Sequence, residues 1–403
     1  KLDGITVICG ENNSGKSTIG KVLFSYFNSM CDFESKIKEQ KIIEIKTCIL
    51  KYSAPAATAF AYLKDVEEEF RKFIYSNNDI TLKNINLFVN KYSDIKNKKE
   101  LSEDIYSVLN MQNDDLMNEY IFRYFIDVFN GQIKNENINS RQQGIIKTIF
   151  KNGINKINFY STKCTLNQEV PILHCAYYIN NPFVVDYLNI NPHFGRTILS
   201  ELDRNIIDAI ESAQINQSLD KMSGIFDAVE NKDKLKQIKD LLSHAYNGRT
   251  IKKNGLYFYS DGKNDIDFRN LSTGLKSFAL IERLLESGKL KSKDVLILDE
   301  PEIHLHPEWQ LIYAELIVLL QKTFDLTILL ATHSFHFLES LKFFIDKYNI
   351  TERGNFYNPQ KSKNGYIITE TNDALYDSMD SLSKPSFDLA QLKMEFEMEH
   401  NND

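Results

Sequence analysis

The chain has 403 residues, 42% of them apolar and 26% charged, with a net charge of −7. This length allows two or three domains, and the composition is ordinary for a globular protein with a packed core. No apolar run reaches the roughly 18 residues of a membrane span. The acidic balance excludes a protein that coats nucleic acid with its whole surface, and leaves a local basic groove open. In chain order, residues 1–32 read as strand, glycine loop and helix: "ITVICG" is a short buried strand and "GKSTIGKVLFSYF" continues as a helix. Lys1 stands so close to the loop that a methionine and a strand or two are expected upstream. Residues 33–248 read as a large, mostly helical insertion. Within it, the stretch from Asp203 to Tyr246 is one amphipathic run interrupted near Gly224. "VPILHCAYYI" from Val170 reads as a strand, and "NNPF" after it as a turn. Residues 249–403 return to alternating strands and helices. "DVLILD" and "LTILLAT" are continuous apolar runs of the kind that a parallel sheet buries on both faces. The fold class is α/β with a mostly parallel sheet plus the helical insertion. Cys9, Cys31, Cys48, Cys164 and Cys175 are scattered without a C-x-x-C pair. They read as reduced thiols of a cytoplasmic protein and not as a disulfide frame or zinc site.

"GENNSGKST" fits G-x-x-x-x-G-K-S/T, with Gly10, Gly15, Lys16 and Ser17 at the fixed positions. Glycines let the backbone curl so that N–H groups along Asn12, Asn13 and Ser14 point at phosphate oxygens. Lys16 reaches the outer phosphates, the Ser17 hydroxyl ligates magnesium, and Thr18 is placed for the inner phosphate. ATP and Mg2+ are the ligands this implies. "DVLILDEPEIHLHPEW" is a strand ending in two acids. Asp299 is placed to hold the magnesium shell, and Glu300 to orient and deprotonate the attacking water. His304 and His306 form an H-x-H pair without further ligands at metal spacing, so packing beneath Pro307 is the better reading. Pro307 opens a helix with Trp309, Ile312, Leu316 and Leu319 on its buried stripe. His333 ends the second apolar strand, at the rim where α/β sheets bind ligands, and there it could hydrogen-bond a terminal phosphate.

Between these lies "NLSTGLKSF". The order glycine loop, Ser-x-Gly loop, acidic strand, histidine strand resembles the ATP-binding-cassette ATPase superfamily, with "LSTGLKS" as its signature loop. Thr273 stands where the family usually has glycine, and the family's glutamine loop is not located. The resemblance implies an ABC-type P-loop head in 1–32 and 249–403. It also implies head-to-tail dimers in which Ser272 and Gly274 of one copy cap the ATP of the other. A helix starting near Leu275 would aim its positive end at the γ-phosphate, with charge added by Lys276. "LDEPEIHLHPEWQ" followed by "LLATHS" is more similar to the soluble OLD, RecF and SMC-related ATPases than to transporters. "YYINNPFVVDYL" and "YDSMDSLSKPSFDLAQLKMEFE" most resemble PtuA-like ATPases of anti-phage systems, Septu and retron-associated.

That resemblance implies control of a separate effector, an HNH-type nuclease, and DNA or RNA as a further ligand. No membrane is expected as a partner, and no nuclease activity in this chain. Asp265 and Asp267 form a D-x-D, but on an expected hairpin just before the signature loop. Lys91 to Lys99, and Lys361 with Lys363, are the candidate grips for nucleic-acid phosphates. The C-terminal helix from about Ser386 places Phe387, Leu389, Leu392 and Phe396 on an apolar side. A RecF- or SMC-like DNA-repair ATPase and a slow-turnover, ATP-bound scaffold are the rival readings.

Overall fold

The computed structural model describes residues 1–52, 68–73, 81–91, 95–133, 144–190, 199–216, 232–245, 248–363, 365–371 and 388–396. Its strands are β1 (Ile5–Cys9), β2 (Gly144–Phe150), β3 (Gly153–Phe159), β4 (Cys164–Gln168), β5 (Ala176–Ile179), β6 (Arg249–Lys253), β7 (Leu256–Ser260), β8 (Asp265–Asp267), β9 (Val295–Asp299), β10 (Thr327–Thr332), β11 (Gly354–Ser362) and β12 (Gly365–Glu370). The longer helices are α1 (Lys16–Met30), α2 (Phe33–Tyr52), α3 (Leu82–Val89), α4 (Lys98–Leu109), α5 (Asn113–Val128), α6 (Glu201–Asn216), α7 (Lys232–Ala245), α8 (Thr273–Glu286), α9 (Pro307–Phe324) and α10 (Phe335–Lys347). The chain forms two compact units. One holds 1–28, 127–130 and 174–403, and the other holds 29–126 and 131–173.

The first unit is built on a six-stranded sheet in the order β12-β11-β1-β10-β9-β5. Every neighbouring pair is parallel except β11 with β12. The apolar runs of β1, β9 and β10 explain this: both faces are covered, so the strands need no polar alternation. Ile5 and Val7, Leu296 and Leu298, and Ile328 and Leu330 point to one face and join a core with α8, α9 and α10. Ile297 and Tyr178 point to the other face, against α1 at Gly20. The domain boundary expected at 249 falls inside this unit, which resumes at His174. The reason is β5: it pairs with β9, Ala176 opposite Val295 and Ile179 opposite Leu298. Its amides are also clamped by Asn28 of α1, which donates to Ala176 O at 2.7 Å and accepts from Ala176 N at 2.9 Å.

The unit also carries an antiparallel meander, β6-β7-β8. Its first turn is Asn254-Gly255, both at positive φ (52° and 82°), the tight hairpin turn that this dipeptide favours. The amphipathic run from Asp203 gives α6 and α7, and the part near Gly224 lies outside the described residues.

The second unit has its own core of Ile42, Ile45 and Ile49 from α2, Phe70, Ile85 and Phe88, and Leu101, Ile105 and Val108 from α4. It also contains an antiparallel sheet, β2-β3-β4, that the helical reading of the insertion did not anticipate. Among the described residues, no helix is long and apolar enough to cross a membrane.

Candidate functional site

Parallel strands bring the sequence-predicted residues to one edge of the sheet. Cys9 ends β1 opposite Thr332 of β10, and Ala331 of β10 sits opposite Asp299 of β9. The glycine loop, the acidic pair and His333 therefore all leave the sheet at its carboxyl edge, where such folds place ligands.

The loop itself is shaped by backbone conformation. Asn13 (φ 62°) and Gly15 (φ 88°) are left-handed, which glycine adopts without penalty. Gly10 is required for space, because a Cβ there would lie 2.7 Å from the Pro359 ring. The first helical bond of α1 runs from Ile19 N to Gly15 O at 3.2 Å. The N–H groups of Lys16, Ser17 and Thr18 thus have no helical acceptor and form an anion-binding end. Lys16 is only 4% exposed. Its ammonium donates to Gly10 O and Glu11 O, both at 2.8 Å, which holds the charge at the centre of the loop. Ser14 is buried, and its hydroxyl finds no partner among the described residues. Asn12 is exposed on the loop and Thr18 on the first turn of α1.

Ser17 Oγ donates to Asp299 Oδ1 at 3.1 Å. A hydroxyl beside a carboxylate is a hard-oxygen donor set, the kind that suits magnesium, so these two side chains fit the ion that the sequence implies. Among the described residues no cluster of three or more His, Cys, Asp or Glu side chains forms a metal cage. Magnesium commonly keeps several waters and phosphate ligands instead.

Two residues missed in the sequence complete this corner. Tyr178 of β5 donates its hydroxyl to Asp299 Oδ2 at 2.6 Å. Burial first, and the Asp299 carboxylate second, push that phenol well above the usual tyrosine range. Glu302 is buried, and burial raises its carboxyl above the ordinary glutamate value. Thr332 Oγ1 donates to its Oε1 at 2.5 Å, and Ser334 N donates back to Thr332 Oγ1 at 3.0 Å, tying the end of β10 to the loop after β9. The doubled acid of "DEPE" and the tyrosine pair of "AYYI" were the only signals for them.

Glu300 itself is left-handed, with φ 52°, a conformation unfavourable by roughly 1–2 kcal/mol for a residue with a Cβ. Its N–H donates to Ala331 O at 2.8 Å, which holds the turn in place. Glu300 Oε1 lies 3.2 Å from His333 Nδ1, but the pair is not aligned for a hydrogen bond. Strain of this kind gathers at sites where it serves chemistry. The arrangement can hold an anion at the loop, a divalent cation between Ser17 and Asp299, and a water within reach of Glu300.

The Ser-x-Gly loop differs from its expected form. α8 begins at Thr273 rather than near Leu275, with Ser272 at the N-cap position. The Ser272 side chain is exposed and makes no hydrogen bond to the end of its own helix. Lys276 is not available to add charge to a nucleotide. It is 2% exposed and bonded to Asp186, with its ammonium 2.7 and 2.6 Å from the two carboxylate oxygens. The Phe183 ring covers it at 4.8 Å. Gly274 is fixed by packing, since a Cβ there would lie 2.7 Å from the Trp309 ring. The 3₁₀ helix Pro182–Asn189, read in the sequence only as a turn within the insertion, therefore buttresses this loop. Asn189 also bonds Tyr257 on both sides, at 2.8 and 2.6 Å.

Asp267 accepts from Arg269 Nε at 2.9 Å and Arg269 Nη2 at 2.8 Å, bonds that hold its carboxyl well below the usual range, while Asp265 is paired with Lys253. Both belong to the meander's structure. The His304 ring packs against Phe183, and His306 stands at the N-cap position of α9 without a side-chain capping bond, its carbonyl accepting from Trp309 N and Gln310 N. Of the candidate basic stretches, Lys91 and 95–99 fall in the second compact unit, and Lys361 and Lys363 in the first. Phe387 lies outside the described residues, while Leu389, Leu392 and Phe396 are exposed on the helix 388–396.

A family model described as AAA ATPase domain (AAA_15) matches residues 1–338. No curated protein matches the sequence. Among solved structures, the chain is similar to an SmcHead bound to the C-winged helix domain of ScpA, at 10% identity over 91% of this chain and 90% of that one, TM-score 0.41. It is also similar to an SMC head domain from Thermotoga maritima, at 13% identity over 59% and 77%, TM-score 0.32. A third is an Smc head domain with an extended coiled coil from Pyrococcus furiosus, bound to the C-terminal domain of ScpA, at 11% over 97% and 65%, TM-score 0.26.

Proposed function

The chain belongs to the AAA ATPase domain family and carries an ATP-binding ATPase domain; from that premise we propose that its glycine-loop edge binds ATP with magnesium and hydrolyses it. The observation that carries this reading is the convergence of Lys16, Ser17, Asp299, Glu300 and His333 at one sheet edge. When bound, magnesium supplies charge neutralisation for the outer phosphates. The remaining roles belong to the chain. The N–H groups of the loop and of the first turn of α1 bind the phosphates, and Lys16 reaches the outermost. Ser17 and Asp299 hold the ion. Glu300 takes the proton of the attacking water, and His333 donates to the terminal phosphate. In Glu300→Gln the amide cannot accept that proton, so ATP should still bind while turnover falls roughly 10²–10⁴-fold. Wild-type turnover in this variant would assign the base elsewhere.

The working unit in this proposal is a head-to-tail pair of chains with two composite sites. Support comes from Ser272, which is exposed and does not cap its own helix. Its hydroxyl and the first N–H groups of α8 are suited to a phosphate held by another copy. Mixing a Lys16→Ala chain with a Ser272→Arg chain tests this, because the two lesions fall in one composite site and spare the other. Recovered activity supports the pair, and none under demonstrated subunit exchange counts against it. The pair would govern a separate effector, an HNH-type nuclease of an anti-phage system. The sequence resemblance supports this, as do the exposed apolar side chains of 388–396, which offer a docking face. Co-expression with the neighbouring gene is the test: nucleic-acid cleavage by this chain alone, or a partner indifferent to ATP, removes the effector reading.

A further inference from the structure

Asp299 is held from two sides. Ser17 Oγ donates to Oδ1 at 3.1 Å and Tyr178 OH to Oδ2 at 2.6 Å. A carboxylate only accepts, so the phenol must be the donor, and a bond to an ionised acceptor is short and strong. The tyrosine has little freedom to leave. It is 1% exposed, lies edge-on to Phe24 at 6.1 Å, and is approached so closely by α1 that a Cβ on Gly20 would sit 2.8 Å from its ring. Its strand is fixed by the two-bond clamp of Asn28 on Ala176. Tyr178 is thus a rigid donor delivered from an edge strand to the carboxylate opposite the glycine loop.

We propose that Tyr178 is a positioning residue for metal-dependent nucleotide binding: its hydroxyl occupies Asp299 Oδ2 and leaves Oδ1, beside Ser17, for the shell of the magnesium ion. This rests on the ATP-site reading above. The last torsion of an aspartate is broad and nearly two-fold, so an unrestrained carboxylate samples many presentations. With both oxygens engaged, one orientation is selected before the ion arrives. Partners that orient a ligating carboxylate in this way typically change metal affinity 10–100-fold when removed.

The experiment titrates Mg2+ at fixed ATP and reads nucleotide binding, not turnover, in wild type, Tyr178→Phe and Tyr177→Phe. Tyr177 is the control: it lies on the same strand and donates its hydroxyl to Lys289 O at 3.0 Å, away from Asp299. Tyr178→Phe should need roughly 10–100-fold more Mg2+ for half-maximal nucleotide binding and reach wild-type binding at saturation. Tyr177→Phe should follow the wild-type curve. A wild-type Mg2+ curve for a folded Tyr178→Phe overturns the proposal, as does an equal shift in Tyr177→Phe, which would mark a general effect of loosening β5. Should the Phe variant fail to fold, Tyr178→Met repeats the test with the same two readings. If wild type itself shows no Mg2+-dependent ATP binding, the underlying site reading fails before any variant is compared.

Discussion

The two glycine loops of this chain use the same residue types for different physical ends. In the loop after β1, Gly15 is left-handed and has no atom within 4 Å of a would-be Cβ, so it is there for backbone conformation. In the Ser-x-Gly stretch, Gly274 lies in the first turn of α8 without a left-handed φ, and it is there because Trp309 leaves no room. The lysines differ likewise. Lys16 is held by its own loop's carbonyls, at the mouth of a helix end. Lys276 is consumed by Asp186 and Phe183. One loop has its charge and N–H groups directed inward at an anion. The other is a packed platform that offers a serine hydroxyl and a helix end. A motif's spacing shows that a loop exists, but the neighbours decide what each of its residues is for.

The sharpest way to break this contrast is Lys276→Met. Removing one partner of a buried pair destabilises by about 3–5 kcal/mol, and the partial exposure of Asp186 puts the expected loss at the lower end. Chemical denaturation measures it, and ATP affinity at the glycine loop should be unchanged. If Lys276 instead served the nucleotide, affinity would fall and stability would hold. Gly274→Ala comes next. Overpacking against Trp309 should lower stability by about 1–3 kcal/mol, read as a lower melting temperature, again with ATP affinity retained. Gly15→Ala should have the smallest effect on stability, about 1–2 kcal/mol for a side chain at left-handed φ, yet it should weaken ATP binding, because the N–H groups of the loop lose their shared direction. Stability falling without affinity in the second loop, and affinity falling with little stability in the first, is the pattern these three variants should give.

Much of the head was legible in the sequence. β1, β9, β10 and α9 appear where apolar runs and Pro307 placed them, because continuous apolar strands and helix starts are local signals. What escaped was non-local. Nothing in "AYYI" says that Tyr178 meets a carboxylate 121 positions away, or that β5 completes the head sheet and moves the unit's boundary to His174. Lys276 was misread for the same reason, since its acid lies 90 positions upstream. The β2-β3 hairpin was a different kind of miss. Phe150 pairs with Gly153 across the two-residue turn Lys151-Asn152, so the glycine stands in the strand with extended backbone (φ 158°) and not at the left-handed turn position that the Asn-Gly hairpin signal describes. The hairpin lies inside a stretch dominated by helical patterning.

Whether the loop after β1 is the nucleotide site is most directly tested by calorimetric titration of ATP, with magnesium in excess, into wild type and Lys16→Ala, with both confirmed as folded. Binding by wild type and none detectable by the variant is the predicted result, because no other side chain within the loop brings a positive charge to the outer phosphates. Equal ATP affinity in the two proteins would contradict it.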